Sequence, residues 1–412
     1  MENAECSSIL NGVLGMNRIR HGLNQMDIQD MNRSLLLNLM RKEGVCARAE
    51  LAKMSGLKQA TVTNIVNDFI AWRLVKETGF LAGSKGRRSI GISVNNDDFG
   101  VIGVQLARIH YDVGLFNLSG ERIRHTRHDR EAECSPRQIM DEIIQLIRRT
   151  IEESRERKIL AIGIAVPGPY SVKSGRIELM TGFQGWSDIA IQKEIEDTIH
   201  LPVFLEQDAN AGALSQYWYD SESYKNDTFA YITDGQGVGA GIVINGELLR
   251  GSQGTAGEIG HMSINFNGPR CSCGNYGCLE NYCSSIAFTK EVNRVLKSQK
   301  QYHFADVKRM VRDGKSDVTD IFLSCCDKLA IGIVNLINVF NPSVIVIGDE
   351  MAHVMPELML ERVKQKVQEK VLPELYESVT IRMSAIEDSM LTGAAIVAIK
   401  KIFNKPEEYF GD

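Results

Sequence analysis

Three features of the sequence predict a chain in two units, a winged helix-turn-helix of α+β type followed by a larger α/β body of two similar lobes. The first is a basic stretch near the N-terminus whose apolar residues recur at helical spacing in successive short segments. The second is a change of texture near Val101, after which strand-like and helix-like segments alternate. The third is a repetition inside that region, where a β-hairpin followed by strand–helix–strand material occurs twice.

The 412 residues leave room for two or three domains with a sizeable core, and at 24% charged the composition is that of an ordinary globular protein. No apolar run reaches the roughly 18 residues of a membrane span, so no membrane insertion is expected. The opening MENAECSSIL has no basic n-region followed by a long apolar stretch, so no secretory signal is expected either. Nine cysteines, at least three at metal-ligand spacing, suit a reducing cytoplasm better than a disulfide framework. The net charge of −5 conceals a split. Between Met31 and Val94 eleven basic residues face four acidic ones, the electrostatic footprint of a nucleic-acid-binding module.

Residues 1–30 show little periodicity and read as an arm. From Asn32 the pattern turns helical, with Leu35, Leu36, Leu39 and Met40 on one face, and Gly44 stops it. Arg48 to Met54 is a short second helix, Ser55 to Leu57 a turn, and Gln59 to Trp72 a third helix with Val62, Ile65, Val66 and Phe69 facing inward. Helix, short helix, Gly-containing turn and helix is the helix-turn-helix order. The outer N-terminal positions of the third helix are small and polar (Gln59, Thr61, Thr63, Asn64), which lets it approach base edges in a major groove. Leu74 to Val94 reads as two strands around a Gly-rich basic turn. That is a wing, with Lys85, Arg87 and Arg88 at its tip for phosphates or a minor groove. The head thus spans 31–94, and the polar residues 95–100 read as the linker to a body at 101–412.

In the body, Val101 to Glu121 is expected to form a hairpin turning at Leu118-Ser119-Gly120, and Pro136 to Arg155 a long amphipathic helix. Ile159 to Pro169 is a buried strand ending in a tight loop, Ser187 to His200 a helix, and Val203 to Trp218 a strand running into a helix. A second hairpin, Phe229 to Gly251, starts the pattern again. Asp320 to Phe340 is helical, Ser343 to Glu350 holds a buried strand, and Leu391 to Ile399 opens a final helix on small residues. Trp186 reads as core, since buried tryptophans usually serve packing.

The densest chemistry lies in the loop 258–280. His261, Cys271, Cys273 and Cys278 supply four N/S donors within eighteen residues, the set that tetrahedral Zn²⁺ takes in closed structural sites. One zinc per chain is therefore expected, with Gly274 and Gly277 letting the loop turn tightly between thiolates. Glu258 and Glu280 flank the knot, and carboxylates held by it suit a ligand rich in hydroxyl groups.

These residues carry a resemblance. GEIGHM followed by CSCGNYGCLE, together with EQDANA (Glu206 to Ala211), resembles the signature of the ROK family of sugar kinases and sugar-responsive repressors. The resemblance covers nearly the whole chain from about Asn24, and GLNQMDIQDMNRSLLL is similar to the entry into the DNA-binding domain of the repressor branch, including xylose-type regulators. It implies a duplicated actin-like ATPase (ribonuclease H-like) fold. It also implies a sugar pocket formed by Gln207, Asp208, Glu258, His261 and Glu280, with His261 serving metal and sugar through its two ring nitrogens. Asp208 stands at the family's catalytic base position, and Gln207 replaces an Asn common in the kinases.

The family offers two fates, and the phosphate turns separate them. The first such turn in the kinases reads roughly G-x-D-x-G-G-T. Here the matching residues run from Gly103 to Ile109, with Gln105 for the Asp and Ala107 and Arg108 for the two glycines. Bulky side chains in place of those glycines keep backbone N–H groups from wrapping a phosphate. The second turn, Gly235 to Gly241, keeps its glycines but has Gln236 where the kinases usually have Thr. The expectation is a non-catalytic, sugar-responsive repressor that binds operator DNA as a homodimer or a dimer of dimers, with a sugar or sugar phosphate as effector. An ATP-dependent sugar kinase, or a regulator held by a sugar-transport protein, is the alternative.

Overall fold

The computed structural model describes residues 24–81, 89–129, 134–168, 170–171, 176–177, 185–221, 223–224 and 227–411. The first helix is Gln25–Glu43, so it starts inside the stretch read as an arm. Its start is set by a reciprocal cap, Asn24 Oδ1 accepting from Asp27 N–H at 3.0 Å and Asp27 Oδ2 from Asn24 N–H at 2.9 Å. Met26 and Ile28 are exposed there, so no apolar stripe marks the first turn. Gly44, at φ 73°, ends the helix.

Strand β1 (Cys46–Ala47), helix Arg48–Ser55 and helix Gln59–Ala71 follow, with Gly56 in the left-handed conformation at the turn. Val62, Ile65, Val66 and Phe69 are buried, as their spacing implies. β2 (Val75–Leu81) and β3 (Ser89–Val94) pair antiparallel, and β1 joins on the far side of β3. Lys85, Arg87 and Arg88 lie outside the described residues.

The expected linker 95–100 is shorter than its composition suggests, because Phe99 and Gly100 already belong to β4 (Phe99–Leu106). What remains is a pinned turn. Asn95 Nδ2 donates to Arg73 O at 2.8 Å, and Arg73 and Lys76 pair with Asp98 and Asp97.

The body holds two five-stranded sheets of the same topology. In the first, β4, β5 (His110–Phe116) and β6 (Arg122–Asp129) form an antiparallel meander, and β7 (Lys158–Val166) and β10 (Val203–Gln207) continue it in parallel from β4. β8 (Tyr170–Ser171) and β9 (Arg176–Ile177) make a separate small ribbon. In the second, β11 (Thr228–Asp234), β12 (Val238–Ile244) and β13 (Glu247–Leu248) form the meander, and β14 (Val344–Gly348) and β15 (Thr380–Met383) continue it. This repeat is the duplication the sequence suggested. One detail differs: the first hairpin turns at residues 107–109, and Leu118-Ser119-Gly120 is the next turn, leading into β6. β6 lies at the sheet edge and is largely exposed, so it lacks the apolar alternation that marks a half-buried strand.

Each lobe's fifth strand feeds a helix, Asp208–Tyr219 after β10 and Ser389–Asn404 after β15. The two helices pack on each other, the first also on β11 and β12, the second on β4 and β7. Glycines permit this closeness. A Cβ on Gly163 would lie 1.8 Å from Ala394 O, and one on Gly393 1.8 Å from Ala211 O.

Among the described residues the three largest apolar clusters follow from this layout. One fills the second lobe and one the outer face of the first, where Trp186 is buried as expected. A third is shared between head and body, joining Leu36, Met40, Val66 and Phe69 to Phe99, Trp218, Ile399 and Phe403. The head is therefore fused to the body through a common core.

Candidate sugar and metal site

β10 ends in Glu206-Gln207, and Asp208 opens the following helix, so the strand end delivers Gln207 and Asp208 to the cleft while Glu206 stays behind them. Glu206 is the anchor. It accepts both guanidinium nitrogens of Arg250, at 3.0 and 2.6 Å, and Asn210 Nδ2 at 3.1 Å. Gln207 Nε2 donates to Glu258 Oε1 at 2.7 Å, and Asp208 Oδ1 accepts from Ala209 N–H at 2.6 Å. Gly168 faces this pair, and a Cβ there would lie 2.3 Å from Gln207 Nε2 and 2.5 Å from Glu258 Oε1.

Glu258 precedes a short 3₁₀ turn, Ile259–His261, and Glu280 opens the helix Glu280–Cys283. One cavity is lined by Gln207, Asp208, Glu258, His261 and Glu280. The five residues expected at a sugar pocket are thus brought together. Across the cavity stand Arg108, His110, Gln236, Asp349 and Met390, of which sequence reasoning had singled out Arg108 and Gln236 as departures in the phosphate turns. Nothing in the local spacing flags His110, Asp349 or Met390 as site residues, since each comes from the end of a different element.

The cleft is acidic. Burial pushes the Asp208 carboxyl up to about 6, against the counter-pull of the Ala209 N–H and Arg108. Burial raises Glu258 to about 7, helped by the Asp208 charge. Asp349 is raised to about 7 by burial and then by Glu350. Arg108 Nη1 donates to Gln236 O at 3.1 Å, so the guanidinium spans from the β4–β5 turn to the β11–β12 turn.

Beside the carboxylates, ligand atoms of His261, Cys271, Cys273 and Cys278 all lie within 4.8 Å of one another. His261 Nδ1 is 3.7 Å from Cys271 Sγ, and Cys273 Sγ is 3.7 Å from Cys278 Sγ. Thiolates bound at about 2.3 Å around a tetrahedral ion stand about 3.8 Å apart, so the cluster could hold a metal ion and is compatible with structural zinc. The other ring nitrogen, Nε2, turns toward Glu258 Oε2 at 3.9 Å. Gly274 at φ 93° and Gly277 at φ 65° make the turns between the cysteines.

In the head, Gln59 and Asn64 are exposed at the outer face of their helix, while Thr61 and Thr63 are half-buried. Thr63 Oγ1 donates back to Gln59 O at 2.8 Å.

A putative xylose repressor of Caldicellulosiruptor sp. (strain Rt8B.4) is 31% identical, over 92% of this chain and 98% of its own length. The crystal structure of a ROK family transcriptional regulator, a homologue of the E. coli MLC protein, superposes with a TM-score of 0.77 at 27% identity, covering 92% of this chain and 97% of that one. A ROK hexokinase from Thermus thermophilus gives a TM-score of 0.59 at 26% identity, covering 74% of this chain and all of that one. The profile of the ROK family matches residues 101–401, and the chain belongs to the ROK family.

Proposed function

We propose that this protein is a sugar-responsive transcriptional repressor of carbohydrate-utilisation genes, with a winged helix-turn-helix head and a sugar-sensing body that does not phosphorylate its ligand. The observation that carries the reading is a cavity lined by Asp208, Glu258 and Glu280 in a chain whose head shares its core. The similar repressors and regulator extend over the head as well as the body.

In this reading Asp208, Glu258 and Glu280 accept hydrogen bonds from sugar hydroxyls, and Gln207 and His261 complete the set. Zinc would be held by His261, Cys271, Cys273 and Cys278, and would fix the loop that carries the two glutamates. Asp208 acts as an acceptor and not as a base, because the cleft lacks the phosphate machinery. Arg108 crosses from the first phosphate turn to Gln236 O, and Gln105 is buried against Met390. Phosphoryl transfer depends almost wholly on positioning and charge stabilisation of the phosphates, so their loss removes turnover even with Asp208 in place.

Two helices join the cavity to the head. Asp208–Tyr219 starts at the sugar acceptor and carries in its last turn Trp218, whose carbonyl accepts from Arg41 Nη1 at 3.0 Å. Ser389–Asn404 starts beside cavity residue Met390 and ends at Asn404, whose Oδ1 accepts from Ser34 Oγ at 3.1 Å. A sugar that binds the closed lobes more tightly than the open ones shifts both helices, and with them the head. Gln59, Thr61, Thr63 and Asn64 read bases, Lys85, Arg87 and Arg88 hold phosphates, and a homodimer matches a near-palindromic operator.

A coupled ADP-release assay on metal-replete protein, across common pentoses and hexoses at millimolar concentration, tests the loss of catalysis. The expected result is background. Turnover within the usual kinase range of roughly 1–100 s⁻¹ on any sugar, abolished by Asp208→Asn, would establish a kinase instead.

A further inference from the structure

We propose that Asp349 turns the inner end of the cleft into an anion-excluding wall, so that the effector is a neutral sugar and neither its phosphate ester nor a nucleotide binds. The proposal rests on the sugar-sensor reading above and names the ligand class of that same cavity.

Asp349 follows β14 directly, and its backbone sits at φ 80°, in the left-handed region where a non-glycine residue is strained. The conformation aims its carboxylate into the cavity. Thr233 Oγ1 donates to Asp349 Oδ2 at 2.6 Å and fixes it there. Gly235 is what allows the approach, since a Cβ on it would lie 2.1 Å from Asp349 Oδ2.

Two further carboxylates stand behind this one. Asp234 is fully buried, and neither of its oxygens has a hydrogen-bond partner among the described residues. Glu350 accepts from Gln236 Nε2 at 3.1 Å and from Ser285 Oγ at 2.7 Å. Within the cavity, Asp208, Glu258, Glu280 and Asp349 are opposed by the single guanidinium of Arg108, whose charge already faces Asp208 and Glu258. A phosphate dianion entering here meets like charge at close range.

A second observation, independent of the acids, points to a ligand and to its chemistry. Gln207 and His110 are 3% and 4% exposed, both line the cavity, and Gln207 Oε1 and His110 Nδ1 have no partner among the described residues. The Gln207 amide is oriented by its Nε2 donating to the Glu258 carboxylate, which leaves Oε1 as the buried end of the amide with no partner among the described residues. Buried polar atoms of this kind are normally paired. An amide oxygen beside carboxylates pairs only with donors. Sugar hydroxyls donate and accept, whereas a phosphate dianion only accepts.

The test is calorimetric titration of the full-length, metal-replete protein with neutral pentoses and hexoses, the phosphate esters of the same sugars, and Mg-ATP. It is run on wild type, Asp349→Asn and Asp349→Gly, with far-UV circular dichroism confirming that each variant is folded. Asn keeps the shape, accepts from Thr233 and tolerates the positive φ, so it isolates the charge. The expected wild-type result is binding of at least one neutral sugar, with its phosphate ester weaker by about a hundredfold or more, as juxtaposed like charges require, and no heat from Mg-ATP. In both variants the ratio of ester to parent sugar affinity should rise at least tenfold. A wild-type ester that binds as well as its parent sugar overturns the proposal, as does a ratio unmoved in both variants. If nothing in the panel binds, neutral or phosphorylated, the sugar-sensor reading itself fails and the proposal falls with it.

Discussion

Cys273→Ser removes one of four donors from a cluster whose loop also carries Glu258 and Glu280. It should abolish stoichiometric zinc, cost about 3 kcal/mol or more, as losses of metal sites do, and weaken sugar binding with it. Elemental analysis and a melting curve check this, and full zinc content in the variant would contradict it. Asp349 allows a pH experiment. Its folded-state pKa is raised to about 7, so the folded chain holds this proton more tightly than the unfolded chain does. The group therefore withdraws stability as pH rises from its ordinary value near 4 toward 7, and the loss is constant above that. Asp349→Asn should accordingly be more stable than wild type at pH 8, with a smaller advantage at pH 5 by urea unfolding. An advantage independent of pH would contradict the assignment. At this scale the sequence was legible where chemistry is contiguous: EQDANA and the loop 258–280 place their acids, imidazole and thiols by local spacing. Asp349 and His110 were not legible, because sheet order and not chain order brings the ends of β14 and β5 to the same cleft.

In the proposed function the helices Asp208–Tyr219 and Ser389–Asn404 carry the coupling between cavity and head, and their close packing depends on missing side chains. Gly393→Ala would place a methyl 1.8 Å from Ala211 O, and should destabilise the protein by about 1–3 kcal/mol through overpacking. A denaturation midpoint equal to wild type would show that the helices separate without cost. Arg41 lies 3.8 Å over the Trp218 ring and donates to its carbonyl, so Arg41→Ala should leave sugar affinity near wild type while blunting the sugar's effect on DNA affinity. Parallel sugar and DNA titrations check it, and an intact sugar effect on DNA would remove Arg41 from the coupling. The small residues at 393–395 marked this packing helix in advance, and the buried faces of Gln59–Ala71 were readable from period alone. The onset at Gln25 and the edge strand β6 escaped, because a polar cap and an exposed strand carry no apolar rhythm.

For the whole molecule, the duplication of the body into two like sheets was readable from the repeated hairpin. The fusion of head to body was not. A polar run at 95–98 looks like a loose tether, yet Arg157 Nη1 bonds to Asn96 O, and Arg33 Nη1 in the head pairs with Glu407 near the end of the body. That fusion makes a change in the cleft a change in the pose of the head, which is the central claim. It is tested most directly by the anisotropy of a labelled duplex, selected by the protein from a random pool, titrated with protein at zero and saturating sugar and with no ATP present. The account predicts that a sugar which binds the protein weakens DNA affinity by roughly 5–150-fold, the usual range of coupling between two sites. An unchanged DNA affinity at saturating sugar would contradict it.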